Sequence, residues 1–345
     1  MSSFRIQNRQ IGDAFPPLVI AEIGINHNGC LSVAKKMVDA AARAGIEVVK
    51  HQTHIVDDEM SPHAKKVIPG NSKKSIYQIM DECSLSEQDE IKLQKYVQSK
   101  GMIFISTPFS RKAAIRLKKM NVPAFKIGSG ECNNYPLIEL VASYKKPIIL
   151  STGMNSISSI KPAVDIIRKN KIPYALLHTT NLYPTPNKLI RLNALKELKQ
   201  EFPDAVIGLS DHSITNHACF GAVALGANIL ERHFTDTMLR KGPDIICSMN
   251  PQAASDLIKG SALIHESLQG KKEPVSEENV TINFAFASVV TIKAIKKGQK
   301  FSAKNIWVKR PGTGDFLAKD FSSIIGRSAS RDLPMDHQIG KRDVT

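Results

Sequence analysis

The 345-residue sequence contains no apolar run approaching the roughly 18 residues that a membrane-spanning helix needs, and no basic start joined to a long apolar stretch. Neither a membrane span nor a secretion signal is indicated, so a soluble, cytoplasmic chain is expected. Cysteine is also scarce. The five thiols, Cys30, Cys83, Cys132, Cys219 and Cys247, are widely spaced and form no C-x-x-C pair. That excludes a disulfide framework and a thiolate zinc site, and it predicts buried, reduced thiols. No aromatic-interleaved basic patch or helix-turn-helix signature accompanies the net charge of +15, so nucleic acid is not the expected partner. The lysines are scattered over helix-like segments such as "KKMVDAAARAGIEVVK". Such a distribution suits solvated helix faces, or a protein that handles a multiply anionic small molecule. Nucleotide fingerprints are incomplete: "GSGECNNY" carries only part of G-x-G-x-x-G, and "RPGTGDF" lacks the Walker spacing and reads as a turn.

What the sequence does contain is a repeated unit, a short apolar run that ends in polar residues and is followed by a helical pattern. Eight such runs occur in order: "LVIAEIG", "VVKHQ", "IFISTP", "AFKIGS", "PIILSTG", "YALLHTTN", "VIGLSDH" and "ILERHF". Between them lie amphipathic segments such as "EQDEIKLQKYVQSKG", whose apolar residues recur at helical spacing. Eight β/α units predict an α/β fold of the closed (β/α)8 type, because that barrel covers apolar strands on both sides. A doubly wound open sheet is the alternative, but no complete dinucleotide motif follows the first strand. The interval after the second run is long, and "HIVDDEMSPHAKKVIPGNSKKSIYQIM" reads as a loop over the barrel mouth. Composition changes at "QGKKEPVSEENVTIN", after which short β-like runs alternate with Gly and Pro. The expected organisation is a barrel over residues 1–270, a linker over 271–284 and a small, mostly β domain over 285–345.

In such a barrel the C-terminal strand ends meet at one mouth, so polar residues distant in sequence converge. Glu22, Lys50, Gln52, Thr107, Lys126, Ser129, Ser151, Asn181, Tyr183, Ser210, His212 and His233 all fall at or just beyond such ends. Buried lysines need an anion, and Lys50 and Lys126 on barrel strands ask for a shared one, a phosphate with a carboxylate. The alternative is that each lysine pairs with a carboxylate of the chain such as Glu131. His212 and His233 end neighbouring strands, so two imidazoles can converge on one divalent cation, with water and substrate completing its shell. A single histidine there would more often be a hydrogen-bonding core residue, and His178 is read that way.

The motifs "EIGINHNG", "VVKHQTHIVDDEMS", "STPFS", "FKIGSGECNNYPLI", "STGM", "NLYPTP", "GLSDHS", "LERHFTD" and "GPDIICSMNP" together resemble the bacterial sialic acid synthase family. "FAFASVVTIKAIKKGQ" and "WVKRPGTGDF" resemble its C-terminal antifreeze-like (SAF) domain. The resemblance implies condensation of phosphoenolpyruvate with an N-acetylated mannose-type sugar, using a divalent metal, Mn²⁺ ahead of Mg²⁺ or Co²⁺. It implies that Lys50, Thr107, Lys126, Ser129, Ser151, Asn181 and Ser210 hold phosphoenolpyruvate and that His212 and His233 bind the metal. Gln52, Phe109, Tyr183, Asp244, Phe284 and Arg310 would shape the sugar site, with Glu22 as the acid/base. A domain-swapped homodimer is implied as well. N-acetylmannosamine is the acceptor this resemblance favours, giving N-acetylneuraminate; a diacetamido-trideoxyhexose leading to legionaminic or pseudaminic acid is the alternative. Two other classes remain open, a metal-dependent keto-acid aldolase and carbohydrate binding without turnover.

Overall fold

A computed structural model describes residues 2–69 and 73–345, and the chain divides into two compact units after Gln269. In the first unit eight parallel strands close into a barrel: β3 (Leu18–Gly24), β4 (Val48–Thr53), β5 (Ile103–Pro108), β6 (Phe125–Ile127), β7 (Ile148–Ser151), β8 (Tyr174–Thr179), β9 (Val206–Asp211) and β10 (Ile229–His233), with β10 pairing back to β3. These are the eight apolar runs of the sequence. Nearly every strand residue is buried, as parallel strands must be when helices cover one side and other side chains fill the inside.

The helices form for local reasons. In Leu31–Ala44, Ala34, Met37, Val38, Ala41 and Ala44 recur at three- and four-residue spacing and are buried against the sheet. That helix stops at Gly45, whose left-handed φ of 88° a side chain would resist. Ser86, Ser110, Asn134, Ser156 and Asn250 cap helix N-termini by accepting a backbone N–H three residues on. Basic residues cluster in last turns, including Arg116, Lys118 and Lys119 in one helix and Arg168 and Lys169 in another, where they oppose the helix dipole. No described helix is long and apolar enough to cross a membrane. Four cysteines are buried, but Cys30, expected inside, is exposed just before its helix.

The N-terminal end of the barrel is closed by a hairpin that the sequence reading overlooked. Strands β1 (Ser3–Ile6) and β2 (Arg9–Gly12) pair antiparallel with Phe4 opposite Ile11. Phe4, Ile6 and Ile11 join Leu18, Ile20, Val48, Ile103, Ile105, Ile149, Leu177 and Ile229 in one cluster at the barrel axis. Each such buried aliphatic side chain contributes about 1.5–3 kcal/mol.

The segment between β4 and β5 is more ordered than a loop. It holds short helices at Val56–Glu59 and Ile76–Cys83, the second opened by a Ser75–Gln78 capping box. Residues 70–72 of this segment lie outside the described residues.

The second unit has its own core of Val289, Ile295, Phe301, Ile306, Ile324, Ala329, Leu333, Ile339 and Val344. Its strands β11 (Ser288–Thr291) and β12 (Ile306–Lys309) pair antiparallel, and isolated bridges extend the mostly β character. Within the stretch read as a linker, Asn279–Ala285 is helical and carries exposed Val280 and Phe284.

Candidate active site

Side chains alternate along a strand, so every second residue faces the barrel axis. On β10 this turns Ile229, Glu231 and His233 inward. Arg232 faces the helices instead, with its Nε 3.4 Å from Asp211. Register then aligns the functional residues: His233 lies beside Glu22, Glu22 beside Lys50, Gln52 beside Thr107, and Ser210 beside Glu231. They line a cavity of about 180 Å³ at the C-terminal mouth. Its walls include Glu22, Lys50, Gln52, Thr107, Phe109, Lys126, Ser129, Ser151, Asn181, Tyr183, Ser210, His212 and His233, together with Glu131 and Glu231.

Both lysines are buried, and burial lowers Lys50 to about 8 while Glu231 pulls the other way; Lys126 is lowered for the same reason. Each meets a carboxylate of the chain. Lys50 pairs with Glu22 and lies 3.6 Å from Glu231, and Lys126 lies 3.9 Å from the same Glu231 oxygen. Burial pushes Glu231 up, but Lys126 and then Lys50 outweigh it and hold this carboxyl low. Both lysines therefore meet carboxylates of the chain, as in the alternative offered by the sequence, but these are Glu22 and Glu231 and not Glu131. Among the described residues Glu131 makes no ion pair and its Oε2 has no hydrogen-bond partner; burial raises it to about 7. Polar donors complete the floor. Lys50 Nζ donates to Thr107 Oγ1 at 3.2 Å, Lys126 Nζ to Ser151 Oγ at 2.6 Å, and the Gly153 amide to Ser129 Oγ at 3.1 Å. Gly153 packs so closely that a Cβ there would overlap Asn181 Oδ1.

On the opposite wall His212 and His233 stand with ring centroids 5.5 Å apart. His212 Nδ1 donates to the Thr180 carbonyl at 2.9 Å, which leaves the lone pair of Nε2 free. Burial lowers His212 to about 4, helped by His233; burial and Lys50 lower His233 to about 3. Both are neutral near pH 7, and His233 Nδ1 is buried without a hydrogen-bond partner. Two neutral imidazoles are the state a divalent cation requires. Among the described residues no three His, Cys, Asp or Glu side chains gather into a metal cage, so such an ion would draw its other ligands from water and substrate. The pair fits an open site of that kind.

Gln52 is held from behind. His54 Nε2 lies 3.1 Å from Gln52 Oε1 and His54 Nδ1 lies 2.7 Å from Glu59 Oε2, while its ring stacks on Phe109 with centroids 4.4 Å apart. This turns the Gln52 amide nitrogen toward the cavity, where a Cβ on Gly24 would meet it at 3.0 Å and Glu22 Oε1 at 2.9 Å. Tyr183 covers His212, with ring centroids 4.1 Å apart.

Asp244 stands just outside this cavity, its Oδ2 3.6 Å from His233 Nδ1, and lines an adjoining chamber. Phe284 and Arg310 belong to the second unit; Phe284 is exposed on its helix and Arg310 precedes a cis bond to Pro311. His178 serves the scaffold, donating to the Ile190 carbonyl at 2.6 Å. Glu231 and Gly153 went unremarked in the sequence. Counting back two residues from His233 would have found Glu231.

Residues 37–273 match the family described as NeuB, and residues 286–345 match the SAF domain. An uncharacterized protein of Methanocaldococcus jannaschii is 38% identical, over 98% of this chain and 98% of its own. The N,N'-diacetyllegionaminic acid synthase of Campylobacter jejuni is 35% identical, over 93% of this chain and 98% of its own. Among solved structures, the N-acetylneuraminic acid (sialic acid) synthetase of Leptospira borgpetersenii in complex with citrate is 31% identical, with a TM-score of 0.75 over 81% of this chain and 95% of that one. A barrel with this mouth, followed by this small domain, belongs to the NeuB family, and the chain is an enzyme of that family.

Proposed function

We propose that the enzyme condenses phosphoenolpyruvate with the open-chain form of an N-acetylated hexosamine-type sugar and water, giving a nine-carbon keto acid and inorganic phosphate. The observation that carries this reading is the division of one cavity into two walls. Buried Lys50 and Lys126 stand with hydroxyl and amide groups on one side, and two neutral imidazoles stand beside Glu22 on the other.

Lys50 and Lys126, with Thr107, Ser129, Ser151, Asn181 and Ser210, would bind the phosphate and carboxylate of phosphoenolpyruvate, which competes with Glu231 for the two ammonium groups. His212 and His233 would hold a divalent ion, Mn²⁺ ahead of Mg²⁺ or Co²⁺, which when bound supplies Lewis-acid polarisation of the acceptor's aldehyde. Gln52, Phe109, Tyr183 and Asp244 would hold the sugar with its aldehyde carbon against the methylene carbon of phosphoenolpyruvate. The new carbon–carbon bond forms between those atoms as the aldehyde oxygen takes a proton. Water adds at the enol-ether carbon, and the bridging carbon–oxygen bond breaks to free phosphate. Glu22 Oε1, buried and without a hydrogen-bond partner, is the acid/base at that junction, giving a proton to the forming alkoxide or taking one from the water. Phe284 and Arg310 would reach the acceptor within a domain-swapped homodimer.

Two acceptors fit the family. The motif reading favours N-acetylmannosamine, giving N-acetylneuraminate. A diacetamido-trideoxyhexose is favoured by the 35% identity to a diacetyllegionaminic acid synthase. Incubation with phosphoenolpyruvate, Mn²⁺ and a panel of acceptor sugars, read by phosphate release and product mass, tests the reaction. Turnover without phosphate would point to an aldolase, and tight sugar binding without turnover to a binding protein. Either result overturns the proposal.

A further inference from the structure

Beside the catalytic cavity lies a chamber of about 380 Å³ with a different chemical character. The two spaces share Gln52, Phe109, Tyr183 and His233 as walls, so a molecule seated at the histidine pair can extend from one into the other. The chamber's outer wall is Ile25, just beyond β3, then Met60, Ile76, Ile79 and Met80 of the segment after β4, and Pro243. Ile25 is buried, and the four residues of the segment are half-buried. Among the described residues no lysine or arginine lines this chamber, whereas two lysines line the cavity next to it. Its polar residues are partly engaged already: His54 lies against Glu59 and Gln52, and Asp244 lies against His233.

Resting on the condensation reading above, we propose that this chamber receives the end of the acceptor remote from its aldehyde. We further propose that this end is a methyl group on a 6-deoxy, acetamido-bearing sugar, in preference to a hydroxymethyl or a phosphate. An acceptor with its aldehyde near His212 and His233 and its middle against Gln52 and Tyr183 has this chamber as its continuation. A hydroxymethyl directed at Ile76, Ile79 and Met80 would surrender its hydrogen bonds to water and find none from those side chains, while the chamber's carboxylates, Glu59 and Asp244, already lie against His54 and His233. A phosphate would face the carboxylates of Glu59 and Asp244, with no lysine or arginine among the described lining residues to receive it. Met60 and Met80, unbranched and adaptable, can settle around an acetamido methyl.

The test compares kcat/KM for N-acetylmannosamine, its 6-deoxy analogue, its 6-phosphate and a 2,4-diacetamido-2,4,6-trideoxy sugar, all at saturating phosphoenolpyruvate and Mn²⁺. The 6-deoxy compounds should exceed N-acetylmannosamine by about 100-fold, the discrimination an apolar pocket achieves against an added hydroxyl. The 6-phosphate should be the poorest acceptor. Ile79→Asn should bring the deoxy preference close to unity by raising the deoxy acceptor's KM while leaving the KM for phosphoenolpyruvate unchanged. Ile79→Leu should keep the preference. If Ile79→Asn fails to fold by thermal unfolding, Met80→Gln carries the same expectation. Equal use of N-acetylmannosamine and its deoxy analogue, the 6-phosphate as best acceptor, or an unaltered preference in the folded polar variant would overturn the assignment and leave the condensation standing. Phosphate release with none of the sugars would instead overturn the condensation itself.

Discussion

Gly153 and Asn181 approach so closely that a methyl group on the former would occupy the space of the latter's Oδ1 and stand 2.9 Å from Ser129 Oγ. Asn181 is a movable side chain, so Gly153→Ala should cost little stability and should act by swinging the Asn181 amide off the cavity wall. The expected outcome is a KM for phosphoenolpyruvate raised about 10-fold, the loss of one hydrogen bond of about 1.4 kcal/mol, with the acceptor KM much less affected. Unchanged steady-state constants in a folded Gly153→Ala protein would remove Asn181 from the phosphoenolpyruvate site.

The histidine pair predicts a metal requirement. Chelation should abolish turnover and Mn²⁺ should restore it. His212→Ala and His233→Ala should stay nearly inactive at saturating metal, and each should weaken Mn²⁺ binding measured by electron paramagnetic resonance without substrates. Full activity in a rigorously metal-free preparation would refute this.

The bond that breaks can be followed by isotope. With ¹⁸O in the bridging position of phosphoenolpyruvate, the label should depart in inorganic phosphate if, as proposed, water attacks carbon while the lysines hold the phosphate. Label retained in the nine-carbon product would mean phosphorus–oxygen cleavage.

Acid stability should report His27. Its ring is buried, stacked on His51 at 5.3 Å between centroids, and both nitrogens lack hydrogen-bond partners. Burial lowers it from 6.5 to about 3, with His51 adding to the effect. The folded value lies below the unfolded one, so the unfolded chain takes up this proton first as pH falls. His27 therefore contributes fully above about pH 6.5 and progressively less toward pH 3. Urea midpoints measured across that window should fall less steeply in His27→Phe, the removed slope being about 1.4 kcal/mol per pH unit. Identical slopes in the two proteins would mean that His27 is solvated or partnered.

Mixed dimers address the swapped arrangement. Arg310→Ala and Glu22→Ala should each impair the enzyme, the former through a lost charge-assisted contact of roughly 1.5–3 kcal/mol to the acceptor's acetamido carbonyl. If Arg310 serves a partner's barrel, one site of a mixed dimer is intact, and activity should return when the two variants exchange subunits. No recovery, with exchange verified by mass spectrometry, would show that Arg310 does not act across subunits.

The barrel was legible because each strand is an apolar run that stops in polar residues, a pattern that survives without any knowledge of neighbours. Convergence at the mouth followed from topology alone, which is why Lys50, Lys126, His212 and His233 could be grouped from the sequence. Glu231 was hidden because it stands next to Arg232, and adjacent opposite charges read as a surface pair. Only strand alternation separates them, sending Glu231 to the axis and Arg232 to the helix layer. The hairpin β1–β2 was missed because four-residue strands carry too few alternations to be seen. The Ser75–Gln78 capping box is a helix start readable in the sequence, hidden by the Pro, Gly and charges around it that give the segment a loop's composition. The apolar chamber had no sequence signal, since its wall is assembled from three separated segments.

The packed barrel axis, capped by the hairpin, closes one end of the barrel and leaves it a cup. Phe4, Ile6 and Ile11 pack there with Leu18, Ile20, Val48 and Ile105, so whatever enters or leaves the cavity passes through the mouth. Traffic through a single door runs last in, first out. Lys126 on β6 and Glu231, two residues before the end of β10, lie deeper along the strands than the chamber walled by Ile76 and Ile79 of the segment after β4. On the proposed chemistry, the anion bound at the lysines would enter ahead of the sugar, and the freed phosphate would leave after the nine-carbon acid.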